Sequence, residues 1–218
     1  MTTALPVEVW SDVVCPWCCV GRAELQRALA GFEHADAVDV TWRSFELDPA
    51  APAIQTASLA EQLSHKLGAG TEQVQAMFAG VAARGAEVGI DFRFDIAQSG
   101  NTFDAHRLLH LARTEGKQDV LKDRLFTAYF TEGEAIGDPV TLRRLAIEAG
   151  LNPESVEGVL ASDRFATEVR ADEEEARSLQ VSGVPFFVID RRYGVSGAQP
   201  AATLLSALQQ AWADRSAR

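Results

Sequence analysis

Two thiols separated by two residues, Cys15-Pro16-Trp17-Cys18, stand between a strand-like segment, Val7 to Val13, and a helix-like run, Val20 to Ala30. That junction constrains the chain more than any other feature of its sequence. A sulfur at the start of a helix meets unpaired N–H groups and the positive end of the dipole, which favour a thiolate. The thiolate attacks disulfides and the neutral thiol does not. Pro16 suits the first helical turn, where its missing N–H has no intrahelical partner to lose. Two buried structural cysteines satisfy the same spacing, but the strand-to-helix context favours a reversible redox pair.

The chain has 218 residues, a formal charge of −11, 47% hydrophobic and 23% charged residues. This is an ordinary globular composition with room for a sizeable core. The acidic balance argues against nucleic acid or an anionic membrane as a standing partner. Met1-Thr2-Thr3-Ala4-Leu5-Pro6 offers neither a basic region nor an apolar stretch, so no signal peptide is expected. No stretch approaches a membrane span. All three cysteines, Cys15, Cys18 and Cys19, fall within five positions. A stapled secreted scaffold would spread them, so a reducing, cytoplasmic compartment is expected.

Residues 6–13 and 38–45 read as strands flanking a helix over 16–30 that Gly31 closes, a βαβ opening with parallel neighbours. Pro49 and Pro52 then mark a loop. From about 57 to 180 the pattern is helical: Leu121, Leu125, Phe126 and Tyr129 recur at helical spacing, as do Leu142, Leu145, Ala146 and Ala149. Asp138-Pro139 and Asn152-Pro153 each place a cap residue before a proline at the first helical position. Residues 90–94 interrupt the run as an extended or loop segment. The acidic run Asp172-Glu173-Glu174-Glu175 reads as a solvated helix face. Phe186 to Asp190 reads as a strand, residues 191–194 as a turn into a short partner, and Pro200 to Trp212 as a closing helix. The expected architecture is α/β: a sheet domain from residues 1–50 and 180–218, with an all-helical domain, 51–179, inserted between.

Gly183-Val184-Pro185-Phe186-Phe187 is the second segment that carries chemistry. A proline that opens a strand cannot donate to the ladder and fits a strand start or a bend. From the residues alone, trans is the ordinary expectation for Pro185. A cis bond would turn the Val184 backbone toward an extended substrate.

Taken jointly, these features resemble the DsbA family of thioredoxin-fold oxidoreductases: a CxxC after a first strand, a long helical insertion, and Val184-Pro185 before a Phe-rich strand. Ser11-Asp12-Val13-Val14-Cys15-Pro16-Trp17-Cys18, Asn101-Thr102-Phe103-Asp104-Ala105-His106-Arg107-Leu108 and Gly183-Val184-Pro185-Phe186-Phe187-Val188 look like its FrnE branch, as does Tyr193-Gly194-Val195-Ser196-Gly197-Ala198-Gln199. The resemblance spans nearly the whole chain. It implies a thioredoxin-like fold with an inserted helical domain, Cys15 and Cys18 as the redox pair, and Pro185 as a cis-proline facing them. It implies substrate contacts at Pro16, Trp17, Val184 and Pro185. It also implies thiol-disulfide exchange on protein or small-molecule disulfides. No cofactor is expected, with glutathione a candidate co-substrate. In DsbA itself a histidine precedes the second cysteine; here Trp17 stands there. Branch members with a C-terminal second cysteine pair differ from this sequence, which has no cysteine after Cys19.

Related hydroxychromene-carboxylate isomerases and kappa-class glutathione transferases suggest a second reading, a glutathione-dependent isomerase or transferase. Those enzymes generally use serine near the same place, so the cysteine pair favours disulfide exchange. Cys19 reads as a small buried hydrophobe. Asn101 is either a ligand contact or the cap of the following helix, and capping is the simpler role. His106 and His110 share a helical face, but Arg107 stands where a zinc-protease glutamate would, and no third ligand is evident. One CxxC supplies half of a structural zinc site, so no metal is expected.

Overall fold

The computed structural model describes residues 4–216. Met1, Thr2 and Thr3, on which the expected lack of a signal peptide partly rests, lie outside the described residues. The elements, in chain order, are β1 (Leu5–Ser11), α1 (Pro16–Ala30), β2 (Val38–Ser44), α2 (Leu59–Leu67), α3 (Thr71–Ala86), α4 (Phe103–Thr114) and α5 (Gln118–Phe130). They continue with α6 (Pro139–Glu148), α7 (Pro153–Leu160), α8 (Ala166–Ser178), β3 (Phe186–Ile189), β4 (Tyr193–Ser196) and α9 (Ala201–Ser216). The sheet runs β2-β1-β3-β4. β1 pairs parallel with β2, Val7 opposite Val40, and antiparallel with β3, Val9 opposite Phe187. The fold is α/β and thioredoxin-like, with a helical layer between the two halves of the sheet sequence. Among the described residues, no helix is long and apolar enough to cross a membrane.

β1 reads as a nearly continuous apolar run because both of its faces are covered. Val7 and Val9 pack with Leu25 and Ala28 of α1 and with Leu204 and Leu208 of α9. On the opposite face Trp10 packs with Ala176, Val181 and Val188, and its indole N–H donates to the Asp172 carbonyl at 2.8 Å. Each fully buried Val or Leu here contributes ~1.5–3 kcal/mol. α8 is the last helix of the long helical run in sequence but closes the second face of the sheet.

The acidic run on α8 departs from the expected solvated face. Asp172 is 2% exposed. Its carboxylate accepts from the Ser44 N–H at 2.9 Å and from Arg43 at 2.8 Å, and meets His110 Nε2 at 3.1 Å. Glu175 pairs with Arg191, while Glu174 stays in solvent. Arg43, His110 and one backbone donor supply what a buried carboxylate requires. These partners come from distant segments, invisible to a reading of the run itself.

β2 lies at a sheet edge, and α5 caps it. The Gln118 side chain accepts from the Trp42 N–H at 2.9 Å and donates to the Trp42 carbonyl at 2.8 Å. One amide thus acts as a single-residue strand, protecting the edge from further pairing. The expected caps at Asp138 and Asn152 form, each accepting a backbone N–H three residues on.

Candidate active site

Cys15 is the N-cap of α1, with extended backbone, and Pro16 opens the first turn. The N–H groups of Cys18 and Cys19 both close on the Cys15 carbonyl, at 3.0 and 3.3 Å, so Cys18 lies one turn further in. Cys15, Cys18 and Cys19 are free thiols. Its place at the helix start does not expose the first sulfur. Cys15 is only 5% exposed and Cys18 is fully buried. Trp17, 40% exposed, occupies the outer surface instead.

The two sulfurs remain in contact, and their environments separate their acidities. The Cys18 side chain hydrogen-bonds to Cys15, and with the N–H groups of Cys18 and Trp17 it holds the Cys15 thiol below its usual value. Burial and the negative charge of Asp12 oppose that lowering. Burial pushes Cys18 well above the ordinary value, and its contact with Cys15 adds to the rise. Charge is therefore concentrated on one sulfur of the pair, the arrangement that nucleophilic attack by Cys15 requires.

The Val184–Pro185 peptide bond is cis. Cys15 Sγ lies 3.6 Å from the Val184 carbonyl oxygen, which accepts from its thiol form. Gly21 of α1 sits against Pro185. A Cβ there would lie 2.8 Å from Pro185 Cγ and 3.3 Å from Phe187 Cζ. α1, carrying the cysteines, and the segment carrying Val184 are thus fixed by close packing.

Cys15, Pro16, Trp17 and Val184 line one wall of a cavity of about 980 Å³. The facing wall comes from the 47–57 loop, α2, α3, Phe94 and α5. Asn101 does not line it. Its Oδ1 accepts from the Phe103 N–H at 2.9 Å and its Nδ2 donates to the Pro49 carbonyl at 3.2 Å. Thr102 holds the cap position without a side-chain bond, so Asn101 performs the capping from one residue earlier. Each end of its amide thus bonds backbone, at Pro49 and Phe103.

Three buried polar side chains near the pair take roles that the sequence does not announce. Asp12, fully buried, accepts from the Val13 N–H at 2.7 Å and the Leu47 N–H at 2.8 Å, and meets His106 Nε2 at 3.2 Å. Against its own burial, the bond to His106 holds the Asp12 carboxyl below its usual value, and burial lowers His106. Since the carboxylate can only accept, the neutral imidazole carries its proton on Nε2. Lys122 of α5 is fully buried, with Nζ 3.5 Å from the Ser11 carbonyl and over the rings of Phe126 and Trp42 at 5.1 and 5.7 Å. Burial pushes it down to about 8, against the attraction of Cys18, Asp12 and Cys15. Lys122 falls on the apolar stripe Leu121, Leu125, Phe126, Tyr129, and that position was the available signal.

Cys19 is partly buried against the helical core, and burial pushes its thiol up to about 12. It stays neutral where Cys15 ionises. His106 and His110 turn to different carboxylates, Asp12 and Asp172. Among the described residues, no three His, Cys, Asp or Glu side chains are grouped to hold a metal ion.

Comparison with known proteins accords with this geometry. A crystal structure of a probable DsbA oxidoreductase from Streptomyces coelicolor is 46% identical, with a TM-score of 0.91 over 96% of this chain and 90% of that one. An uncharacterized Bacillus subtilis protein, YwbO, is 29% identical over 84% of this chain and 86% of its own. A 2-hydroxychromene-2-carboxylate isomerase is 13% identical, with a TM-score of 0.70 over 97% and 98% of the two chains, and shares the fold. The DSBA-like thioredoxin domain model matches residues 6–209, and the chain belongs to that family.

Proposed function

We propose that the protein exchanges disulfides through Cys15 and Cys18. The observation that carries this reading is the placement of two free thiols one helical turn apart at the start of α1, with Cys15 on a cavity wall and 3.6 Å from the Val184 carbonyl oxygen. The Cys15 thiolate attacks one sulfur of a substrate disulfide, and the other sulfur leaves as a thiolate that takes up a proton. Cys18 loses its proton and attacks Cys15 in the mixed disulfide. The second substrate sulfur leaves, and the Cys15–Cys18 disulfide closes. Two electrons have passed from the pair to the substrate, and the same steps in reverse oxidise a dithiol.

Lys122 acts in the second step. Its buried charge stabilises the thiolate that Cys18 must become and offsets the burial that opposes it. Pro16, Trp17 and Val184 line the cavity beside the attacking sulfur and position the substrate, with Pro185 holding the Val184 segment against α1. No bound cofactor is required; two equivalents of a thiol such as glutathione reset the oxidised pair. Cysteines confined to positions 15–19 suit work in a reducing, cytoplasmic compartment.

The test is Cys18→Ala. That variant accumulates mixed disulfides through Cys15, seen by non-reducing electrophoresis and intact mass, whereas Cys15→Ala forms none. Absence of adducts in Cys18→Ala overturns the assigned roles.

A further inference from the structure

We infer that the cavity beside Cys15 takes an uncharged, low-mass disulfide with an aromatic-sized apolar body. The inference rests on the exchange chemistry above and names its substrate class. At about 980 Å³ the cavity stands at the upper end of the range for small-molecule sites. Its far wall is built by Leu63, Met77, Phe78, Val81, Phe94 and Phe130. α2 buries none of its residues and α3 only Val74 and Gly85, although both helices put apolar side chains on the cavity lining. An amphipathic helix needs an apolar partner. On these two helices much of that partner is the cavity itself.

The charged groups at the lining exclude the main alternatives. One standing cation, Lys66, faces two carboxylates, Asp48 and Glu61, at the lining. Lys66 Nζ lies 3.8 Å from Asp48 Oδ2, and Glu61 is bound to Ser58 in a capping box. Among the described residues no arginine lines the cavity, and the chain carries −11 overall. A peptide disulfide with several carboxylates therefore finds no fork of donors to hold it. The far wall is made of side chains from α2, α3, α5 and the loops about Leu47 and Phe94, with no strand edge, so main-chain pairing for an extended polypeptide is limited to Val184 on the near wall.

The experiment mixes reduced protein with bis(2-phenylethyl) disulfide, bis(2-hydroxyethyl) disulfide or oxidised glutathione, and follows single-turnover loss of the two thiols. All three carry sulfur on a primary carbon, and dithiothreitol supplies the intrinsic reactivity ratio. Relative to that ratio, the phenylethyl compound reacts about 10-fold or more faster than the hydroxyethyl one, and oxidised glutathione is slowest. Met77→Glu puts a charge on the cavity wall at a residue already 47% exposed, and it collapses the phenylethyl preference. Three results overturn the inference: no preference beyond dithiothreitol, a preference that Met77→Glu leaves intact, or faster reaction with oxidised glutathione or with a disulfide-bonded unfolded protein. If no disulfide oxidises the pair, the exchange reading itself fails. The cavity is then judged by n-propylbenzene, which contains no sulfur. Chemical-shift changes at Met77 and Phe78 of Cys15→Ser protein support an apolar site, and their absence overturns it.

Discussion

His106 Nε2 meets Asp12 Oδ1 at 3.2 Å, both side chains wholly enclosed beneath the cysteine turn. The same carboxylate accepts the N–H groups of Val13, before the redox pair, and Leu47, at the root of the cavity loop. Asp12 therefore fixes two backbone segments at once, while its negative charge works against ionisation of Cys15. Asp12→Asn separates these effects. One Asn oxygen cannot replace both carboxylate oxygens, and at least one buried donor is left unpaired, costing about 1–3 kcal/mol. Removal of the charge lets Cys15 ionise at lower pH. Denaturant unfolding should show the loss, and the pH profile of iodoacetamide alkylation should move downward. An upward move contradicts this account of the site.

The Gln118–Trp42 pairing predicts a second effect, remote from the sulfurs. Gln118→Leu keeps roughly the volume but leaves a buried N–H and a buried carbonyl of edge strand β2 without partners. The expected cost is about 2–4 kcal/mol. Hydrogen exchange should quicken at the Trp42 amide more than at the Val9 amide, which lies in the central strand. Equal quickening at both would mean that the amide serves global packing and not the edge.

What the sequence made legible is what short-range physics encodes. The CxxC at a strand-to-helix junction and the caps at Asp138 and Asn152 are readable because signal and consequence lie within a few residues. The buried roles of Lys122, His106 and Asp172 are not legible there, for a common reason. Each sits on the buried stripe of its own helix: Lys122 with Leu121 and Leu125, His106 with Ala105 and Leu109, Asp172 with Val169 and Ala176. A polar residue on such a stripe either ends the stripe or finds a partner far away in sequence. The partners are Ser11, Asp12 and Arg43, up to 129 positions distant. The burial of Cys15 follows from the same cause, because the loop and helices that cover it fold back from beyond residue 46.

Cys19 supplies a control for the redox assignment. Its thiol is raised to about 12 from 9.0, so the folded state keeps it neutral after the unfolded chain has ionised. Its contribution to stability is whole below pH 9.0 and is lost as pH rises toward about 12. Cys19→Ala should leave the equilibrium potential of the Cys15/Cys18 couple unchanged and flatten the alkaline decline in stability. A shifted potential would bring Cys19 into the redox chemistry.

Lys122 gives the sharpest test, because stability and chemistry should move in opposite directions. Its folded value is about 8 against an ordinary 10.5. Between these values the unfolded chain binds more protons, so this residue makes stability rise with pH from about 8 to 10.5. Below that window the buried ammonium is a standing cost. Lys122→Met should therefore stabilise the protein near neutral pH by about 1–4 kcal/mol, with the gain fading as pH approaches 10.5. The missing charge also raises the acidity barrier at Cys18 and destabilises the reduced pair relative to the disulfide. In glutathione buffers the couple should become more reducing, and closure of a preformed Cys15 mixed disulfide should slow. A variant that is stabilised but exchanges thiols with wild-type potential and closure rate would make Lys122 a packing residue and remove it from the mechanism.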